Sequence, residues 1–153
     1  MKLSVQIGPY LPYLRRFARA LTGSQKSGDA YVAALLQGIA ADPSLIQGHS
    51  DLRVALYHGL CFIWDSVSLN ERPDTAQPAW EATVQGRLGN ISGRARQVYL
   101  LNAIEGFDLD EIAAIQGINR EEAVRLHQSA SQQISEMIAS DVLIIEDEPL
   151  IAM

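Results

Sequence analysis

The stretch DLDEIAAIQGINREEAVRLHQSASQQI, Asp108–Ile134, decides the fold of the second half of this chain. Asp108, followed three residues later by Glu111, forms an Asp-x-x-Glu capping box that predicts the start of a helix. Gly117 predicts the end of that helix, because glycine readily adopts the left-handed backbone that closes helices. The sequence therefore predicts a short helix followed at once by a tight turn.

A second helix follows that turn. Asn119, with Glu122 three residues later, predicts its start, and the apolar spacing continues to about residue 139. Upstream, Ser92 is a candidate cap for a further helix with Ala95, Val98, Leu101 and Ile104 on one face. Two helices joined by a short turn containing glycine are typical of a helix-turn-helix. We expect this fold in the second half of the chain.

The first half predicts three helices with short connections. Gly23 ends the first helix, Ser27 or Asp29 caps the second, and a third opens near residue 50 or 51. The apolar faces of these helices are, in chain order, Leu11, Leu14, Phe17, Ala18 and Leu21; Val32, Leu35, Leu36 and Ile39; and Leu52, Leu56, Leu60, Ile63 and Trp64. We therefore predict an all-α protein of two helical bundles.

The composition and net charge of the chain disfavour several classes of function. The net charge is −6, and an acidic chain is poorly suited to hold a polyanion. The one cysteine, Cys61, cannot form an intramolecular disulfide, which is typical of a reducing compartment. The N-terminal residues lack the apolar core of a signal peptide, and no apolar run has the length of a membrane span. We expect a cytoplasmic protein.

No catalytic or cofactor-binding residues stand out. His49, His58 and His127 have no ligand partners at metal-binding spacing, and Cys61 does not complete a zinc set with them. The sequence contains no P-loop, nucleophile elbow or glycine-rich dinucleotide turn. We predict that the chain is not an enzyme.

The motifs resemble those of extracytoplasmic-function sigma factors. The strongest matches to the fourth region of those factors are Arg96–Leu101, Glu105–Phe107 and Asp110–Ala113. The run YLRRFARALTGS, Tyr13–Ser24, is similar to their second region, and the whole resemblance covers nearly all of residues 8–138. The resemblance implies a region-2-like bundle over residues 1–66 and a region-4-like helix-turn-helix over 87–139. Between them, the loss of helical periodicity and the presence of Pro73 predict a linker over 67–86 with a short helix around residues 80–88.

The chain departs from the sigma-factor pattern where sigma factors contact DNA and RNA polymerase. The usual basic positions of the recognition helix hold Val124, Leu126, Ser129 and Ser131. Glu121 and Glu122 occupy the helix N-terminus, where a phosphate would otherwise bind, and only Arg120 and Arg125 remain as fixed positive charges. In the first half, Val32, Ala33 and Ala34 replace a polar polymerase-binding surface. These departures favour a sigma-factor mimic.

The C-terminal run VLIIEDEP, residues 142–149, resembles the first strand of a receiver domain and the acidic residues after it. In a complete receiver, carboxylates such as Glu146 and Asp147 help to hold Mg²⁺, a hard cation that prefers oxygen ligands. We expect residues 140–153 to be the start of a receiver that is truncated here, so that the pair does not function as a metal site in this fragment.

A sigma-like domain followed by a receiver is the layout of the PhyR-type general stress response regulators. That resemblance implies an anti-anti-sigma factor that sequesters a NepR-type anti-sigma factor when phosphorylation permits. We expect the partner to bind as amphipathic helices across both bundles, with residues 67–86 reordering. The predicted contacts are Tyr31, Val32, Trp64, Val124 and Leu126. The alternatives are a divergent DNA-binding sigma factor or helix-turn-helix regulator, and a helical adaptor with an unrelated partner.

Overall fold

The structure is a computed structural model that describes residues 2–68 and 93–147. The first half contains α1 (Leu3–Ile7), α2 (Leu11–Thr22), α3 (Gln25–Ala41) and α4 (Leu52–Ser68), with 3₁₀ turns at Gly8–Tyr10 and Pro43–Ile46. The second half contains α5 (Gly93–Ala103), α6 (Leu109–Gln116) and α7 (Arg120–Asp147). No strand occurs within these described ranges, which confirms the predicted all-α class.

The helix-turn-helix forms through the local signals predicted for it. The Asp108 side chain accepts a hydrogen bond from the Glu111 N–H at 2.8 Å, and the Glu111 side chain accepts one from the Asp108 N–H. Gly117 has a φ of 66° at the end of α6, a left-handed conformation that favours glycine. The Asn119 side chain accepts from the Glu122 N–H at 2.8 Å. The capping box and both ends of the turn are confirmed.

The predicted cap of α3 is wrong. Ser24 caps the helix, and its hydroxyl accepts a hydrogen bond from the Ser27 N–H at 3.0 Å. Ser24 has an extended backbone directly after the left-handed Gly23, which is the geometry of an N-cap residue. Asp29 therefore lies inside α3, where its carboxylate pairs with arginines of α2.

The predicted strand at the C-terminus is also corrected. The helix α7 continues to Asp147, so residues 142–147 are helical, while 148–153 lie outside the described residues. A strand needs a neighbouring strand to satisfy its backbone groups, and the part of the chain described here offers none. A helix satisfies the same groups within its own segment. The assignment of residues 140–153 to a receiver stays a prediction.

The two halves share one hydrophobic core. Buried residues of α2, α3 and α4 belong to the same cluster as those of α5, α6 and α7. The helix α4 extends two residues into the predicted linker, to Ser68, and the remaining linker residues to 86 lie outside the described ranges. The predicted short helix around residues 80–88 and the Ser92 cap also lie outside them. The two predicted bundles are thus packed against each other in the described structure.

Candidate protein-binding surfaces

The recognition helix of the helix-turn-helix carries its positive charges in ion pairs. Arg125 donates to both carboxylate oxygens of Glu122, from Nε at 3.0 Å and from Nη2. Arg120 Nη1 lies 3.6 Å from Asp110 Oδ2. The hydrogen bond from Arg125 holds the pKa of Glu122 below its usual range, so that carboxylate stays charged. Both arginines of α7 thus face carboxylates, which leaves this helix poorly equipped to bind phosphate.

Burial explains part of the neutral sequence of α7. Leu126 is 7 % exposed and packs in the core, so its position is a packing position and not a lost DNA contact. Val124, Ser129 and Ser131 are half-buried, and Glu121 is exposed. The DNA-facing interpretation is therefore corrected for Leu126, because the helical phase of α7 points this side chain inward.

The part of α3 that was predicted to lack the polar surface of sigma factors exposes small, uncharged side chains. Ala33 and Ala34 are exposed, whereas Val32 is 4 % exposed and belongs to the core. Asp29 accepts hydrogen bonds from Arg15 Nε at 3.0 Å and Arg15 Nη2 at 3.1 Å. The hydrogen bonds from Arg15 lower the pKa of Asp29, and Arg19 adds a weaker contact. The acidic residue of α3 is therefore engaged with α2.

An apolar groove runs beside this surface, between α3, the second 3₁₀ turn and α4. Its volume is about 480 Å³. The lining residues are Ala34, Leu35, Gly38, Leu45, Ile46, His58, Gly59, Phe62 and Ile63. Two of its large apolar side chains are open to solvent, since Phe62 is 66 % exposed and Leu45 is 52 % exposed. Exposed apolar side chains that line a groove are typical of a site for a protein partner.

The seam between the two halves contains a buried carboxylate, Glu105, in the loop between α5 and α6. Its side chain is 0 % exposed. Arg16 of α2 donates to Oε1 from Nε at 3.1 Å and to Oε2 from Nη2 at 3.0 Å. Tyr57 of α4 donates its hydroxyl to Oε2 at 2.8 Å. Burial raises the pKa of the Tyr57 hydroxyl, and the hydrogen bond to Glu105 raises it further, so Tyr57 remains a donor.

The backbone around Glu105 is held by the same first-half helices. Arg16 Nη2 donates to the Ile104 carbonyl at 3.2 Å, and Arg53 Nη2 donates to the Glu105 carbonyl. Gly106 has a φ of 72°, which turns the chain so that Phe107 enters the core. The Phe107 ring packs edge-on against Tyr57 at 4.9 Å, and the Arg53 guanidinium lies 3.9 Å above it. The loop is thus inserted into the first half.

Polar contacts continue along the seam beyond this loop. Gln97 of α5 is 0 % exposed and donates from Nε2 to Asp65 Oδ1 of α4 at 2.7 Å. His58 Nδ1 and the Ile115 carbonyl of α6 lie 2.7 Å apart, which allows Nδ1–H to donate. Because His58 also lines the groove, the groove lies next to the second half of the chain.

The five predicted contact residues do not share one surface. Tyr31, Val32 and Leu126 are buried at 4–7 % exposure, because each lies on the inward face of its helix. Trp64 is half-buried, and a Cβ on Gly93 of α5 would lie 3.1 Å from its ring. Val124 is half-buried on α7. A partner could reach the three buried side chains only if the packing around them changed.

The sequence did not reveal the seam, although one signal for it was visible. Glu105 belongs to the matched motif Glu105–Phe107, which drew attention to this loop without showing what it contacts. Its partners Arg16 and Tyr57 lie 89 and 48 residues away in sequence. No local spacing rule connects residues so far apart.

The remaining candidate groups show no metal geometry. Among the residues whose side chains the structure describes, which end at residue 139, no cluster of three or more His, Cys, Asp or Glu is placed to hold a metal ion. Cys61 is buried, and burial raises the pKa of its thiol. Glu146 and Asp147 are the last two residues of α7, and their part in the metal site of a complete receiver stays a prediction. Separately, none of the described helices is long and apolar enough to cross a bilayer.

Comparison with known families gives matches in both halves. Residues 7–61 match a family described as the sigma2 domain of PhyR. Residues 88–136 match the sigma-like domain of the response regulator PhyR.

Individual relatives agree with these matches. The phyllosphere-induced regulator PhyR of Methylorubrum extorquens is 41% identical over 144 residues, which cover 94% of this chain and 53% of that protein. The chain thus spans about half the length of this curated relative. A crystal structure of the anti-anti-sigma factor PhyR with the anti-sigma factor NepR, from Bartonella quintana, has 39% identity and a TM-score of 0.75, covering 90% of this chain and 51% of that one. The NMR structure of the PhyRSL–NepR complex from Sphingomonas sp. Fr1 has 35% identity and a TM-score of 0.71, covering 89% of this chain and 88% of that one.

Proposed function

This chain belongs to the PhyR family of sigma-like regulators, and from that premise we propose that it acts as a sigma-factor mimic that sequesters a NepR-type anti-sigma factor. In this role it is an anti-anti-sigma factor of the general stress response, working in the cytoplasm by binding and not by catalysis. The observation that carries the proposal is a sigma-like helix-turn-helix whose two recognition-helix arginines are both paired with carboxylates.

The charge pattern favours a protein partner over DNA. Binding to DNA releases counterions only when unpaired lysines and arginines approach phosphates. Arg120 and Arg125 each have a carboxylate partner, and the exposed Glu121 adds a negative charge beside them. Binding to a protein partner does not require unpaired lysines and arginines, because it can use apolar contacts. The DNA-binding alternative is therefore the weaker one.

We propose that the partner binds as amphipathic helices across both halves, with one helix in the groove between α3 and α4. Phe62 and Leu45 offer the exposed apolar contacts there, and Ala33 and Ala34 let a helix backbone approach α3 closely. Trp64 and Val124, which are only partly buried, remain proposed contacts. Tyr31, Val32 and Leu126 would contribute only after a local change in packing.

Calorimetry with a NepR-type anti-sigma factor tests the proposal. Phe62→Ser should weaken binding about tenfold or more, as for a buried apolar anchor of an interface. Ile138→Ser is the matched control, because Ile138 is 59 % exposed on α7 and outside the groove. Binding by the native chain with selective loss in Phe62→Ser supports the proposal. Absence of binding by the native chain contradicts the function, and equal affinities of the two variants contradict the groove.

We also propose control by phosphorylation in a longer chain whose residues 140–153 lead into a complete receiver. In that arrangement the unphosphorylated receiver covers the partner surface, and phosphorylation, with Mg²⁺ bound by the receiver, favours the uncovered state. A full reversal from 1:99 to 99:1 requires about 5.5 kcal/mol. In calorimetry, residues 1–140 should bind constitutively, and the longer chain should bind only when it is phosphorylated or carries the phosphate mimic beryllofluoride. Equal affinity in all samples would exclude receiver control.

A further inference from the structure

The Glu105 carboxylate receives its hydrogen bonds from the opposite half of the molecule. Arg16 binds both of its oxygens, at 3.1 and 3.0 Å, and Tyr57 binds Oε2 at 2.8 Å. The adjacent Ile104 and Glu105 carbonyls accept from Arg16 and Arg53. All of these donors belong to α2 and α4, whereas the acceptors belong to the loop after α5.

We infer that Glu105 is a positioning residue that locks the two halves into one rigid body and so holds the partner-binding surface in its assembled shape. This inference deepens the proposed function and rests on it for the binding effect. The rigidity itself is a property of this chain alone and can be measured without any partner.

The burial of Glu105 gives the lock its specificity. A carboxylate with no exposed surface needs a cation and hydrogen-bond donors at defined positions, and losing them leaves an uncompensated buried charge. Apolar packing alone tolerates small rotations between surfaces, whereas a bidentate arginine–carboxylate pair fixes both distance and angle. Phe107 supplies the apolar part of the contact, and Glu105 supplies its geometry.

The lock matters for binding because the groove borders the seam. His58 both lines the groove and contacts the Ile115 carbonyl of α6. A partner that contacts both halves meets them at a fixed separation only while Glu105 keeps its hydrogen bonds to Arg16 and Tyr57. If the halves move independently, binding must restrict that motion. The entropy lost in doing so makes the free energy of binding less favourable, and the affinity falls.

Residual dipolar couplings measure the lock directly in the isolated chain. The amide couplings of residues 2–68 and of 93–139 should fit one alignment tensor in the native protein. Glu105→Gln retains the size of the side chain but removes its charge and places amide hydrogens toward Arg16 or Tyr57, so the halves should require two separate tensors. Asp29→Asn is the matched control, because Asp29 also pairs with arginines but within the first half.

Tyr57→Phe provides a second, milder variant that keeps the ring in the core and removes only the hydroxyl bound to Glu105. It should reduce the agreement with a single tensor in the same direction as Glu105→Gln. A single tensor that fits Glu105→Gln and Tyr57→Phe as well as it fits Asp29→Asn overturns the inference.

Calorimetry with the NepR-type protein tests the binding effect. Glu105→Gln should bind about tenfold more weakly than Asp29→Asn, equal to about 1.4 kcal/mol. Two tensors with unchanged or tighter binding would overturn the role of Glu105 in assembling the surface. If neither the native chain nor any variant binds the NepR-type protein, the proposed function is wrong, and so is the role of Glu105 in binding. The comparison of alignment tensors still decides whether Glu105 holds the two halves rigidly together.

Discussion

Two arginine–glutamate ion pairs, one in the seam and one on the recognition helix, have the same chemical groups but different effects on the structure. Arg16 and Glu105 lie 89 residues apart and join the two halves, with the carboxylate fully buried. Arg125 and Glu122 lie three residues apart in α7, with side-chain exposures of 67% and 37%. The first pair fixes where two parts of the chain lie, and the second only neutralises a surface.

Burial accounts for the difference. An exposed pair is solvated and screened, so it contributes little to stability, and its main effect is on which ligands the surface attracts. A buried carboxylate must keep its partners, so it constrains the position of every element that supplies one. In this chain the buried pair therefore fixes how the two halves pack, while the exposed pair affects which ligands the surface of α7 attracts.

The largest effect should come from the apolar side of the seam. Phe107→Ala should lower the free energy of unfolding by about 3–5 kcal/mol, because it removes a fully buried ring from a core shared by both halves. Phe62→Ala, at a ring that is 66 % exposed, should change it by about 0.5 kcal/mol or less. Urea unfolding of both variants measures this difference. Similar losses in the two variants would show that the seam is not part of the core.

The next effect should come from the buried ion pair. Arg16→Met leaves Glu105 buried without its bidentate partner and should cost about 3 kcal/mol, the low end for such a change because Arg16 itself is half exposed. Arg125→Met should leave stability nearly unchanged. Urea unfolding of Arg16→Met, Glu105→Gln and the double variant gives the coupling between the two side chains. Additive losses would mean that Arg16 acts independently of Glu105.

A smaller effect should appear on DNA binding. The native chain should give no discrete complex with promoter DNA in a gel shift at low salt. Glu121→Gln/Glu122→Gln releases Arg125 from its carboxylate and should add weak, sequence-independent binding. The slope of log affinity against log salt should then become steeper by about 0.9 for each further phosphate that the protein neutralises. A promoter-selective complex of the native chain would contradict the mimicry proposal.

The smallest effect should be a pH dependence at His49. Burial lowers the pKa of His49 below its ordinary value of 6.5, and the nearby His58, whose ring centre is 4.7 Å away, lowers it further. As the pH falls, His49 therefore becomes protonated in the unfolded chain at a higher pH than in the folded chain. The contribution of neutral His49 to the free energy of unfolding is complete above about pH 6.5 and is lost as the pH falls below that value. In unfolding experiments from pH 7.5 to 5, His49→Asn should flatten this part of the curve, and an unchanged curve would assign the dependence to other groups.

The sequence predicted several of the features that depend on neighbouring residues. The Asp108–Glu111 box and Gly117 act within one or two helical turns, so their effect follows from spacing alone. Ser24 was missed in favour of Ser27 or Asp29, because all three are acceptable caps and the left-handed Gly23 decides among them. The helical continuation of residues 142–147 was missed because an apolar run fits a strand or a helix equally well.

Features that depend on distant residues could not be predicted. The buried positions of Tyr31 and Leu126 follow from which face of each helix meets its neighbours, and spacing alone left an interface role open. Glu105 carries no local sign that Arg16 and Tyr57 will surround it. The family resemblance supplied the overall arrangement of two sigma-like regions but not the contacts that hold them together.

The insertion of Phe107 against Tyr57 has a consequence for the newly made chain. Phe107 follows Tyr57 by 50 residues, so ribosomes working at about 5–20 residues per second need about 3–10 s to synthesise the stretch between them. For most of that interval the first half, which ends at Ser68, has been translated, but the ring and the carboxylate that complete its core have not. A chaperone that recognises exposed aromatic surface should associate with nascent chains in which Tyr57 has emerged from the ribosome and Phe107 has not. It should dissociate once the loop after α5 has emerged.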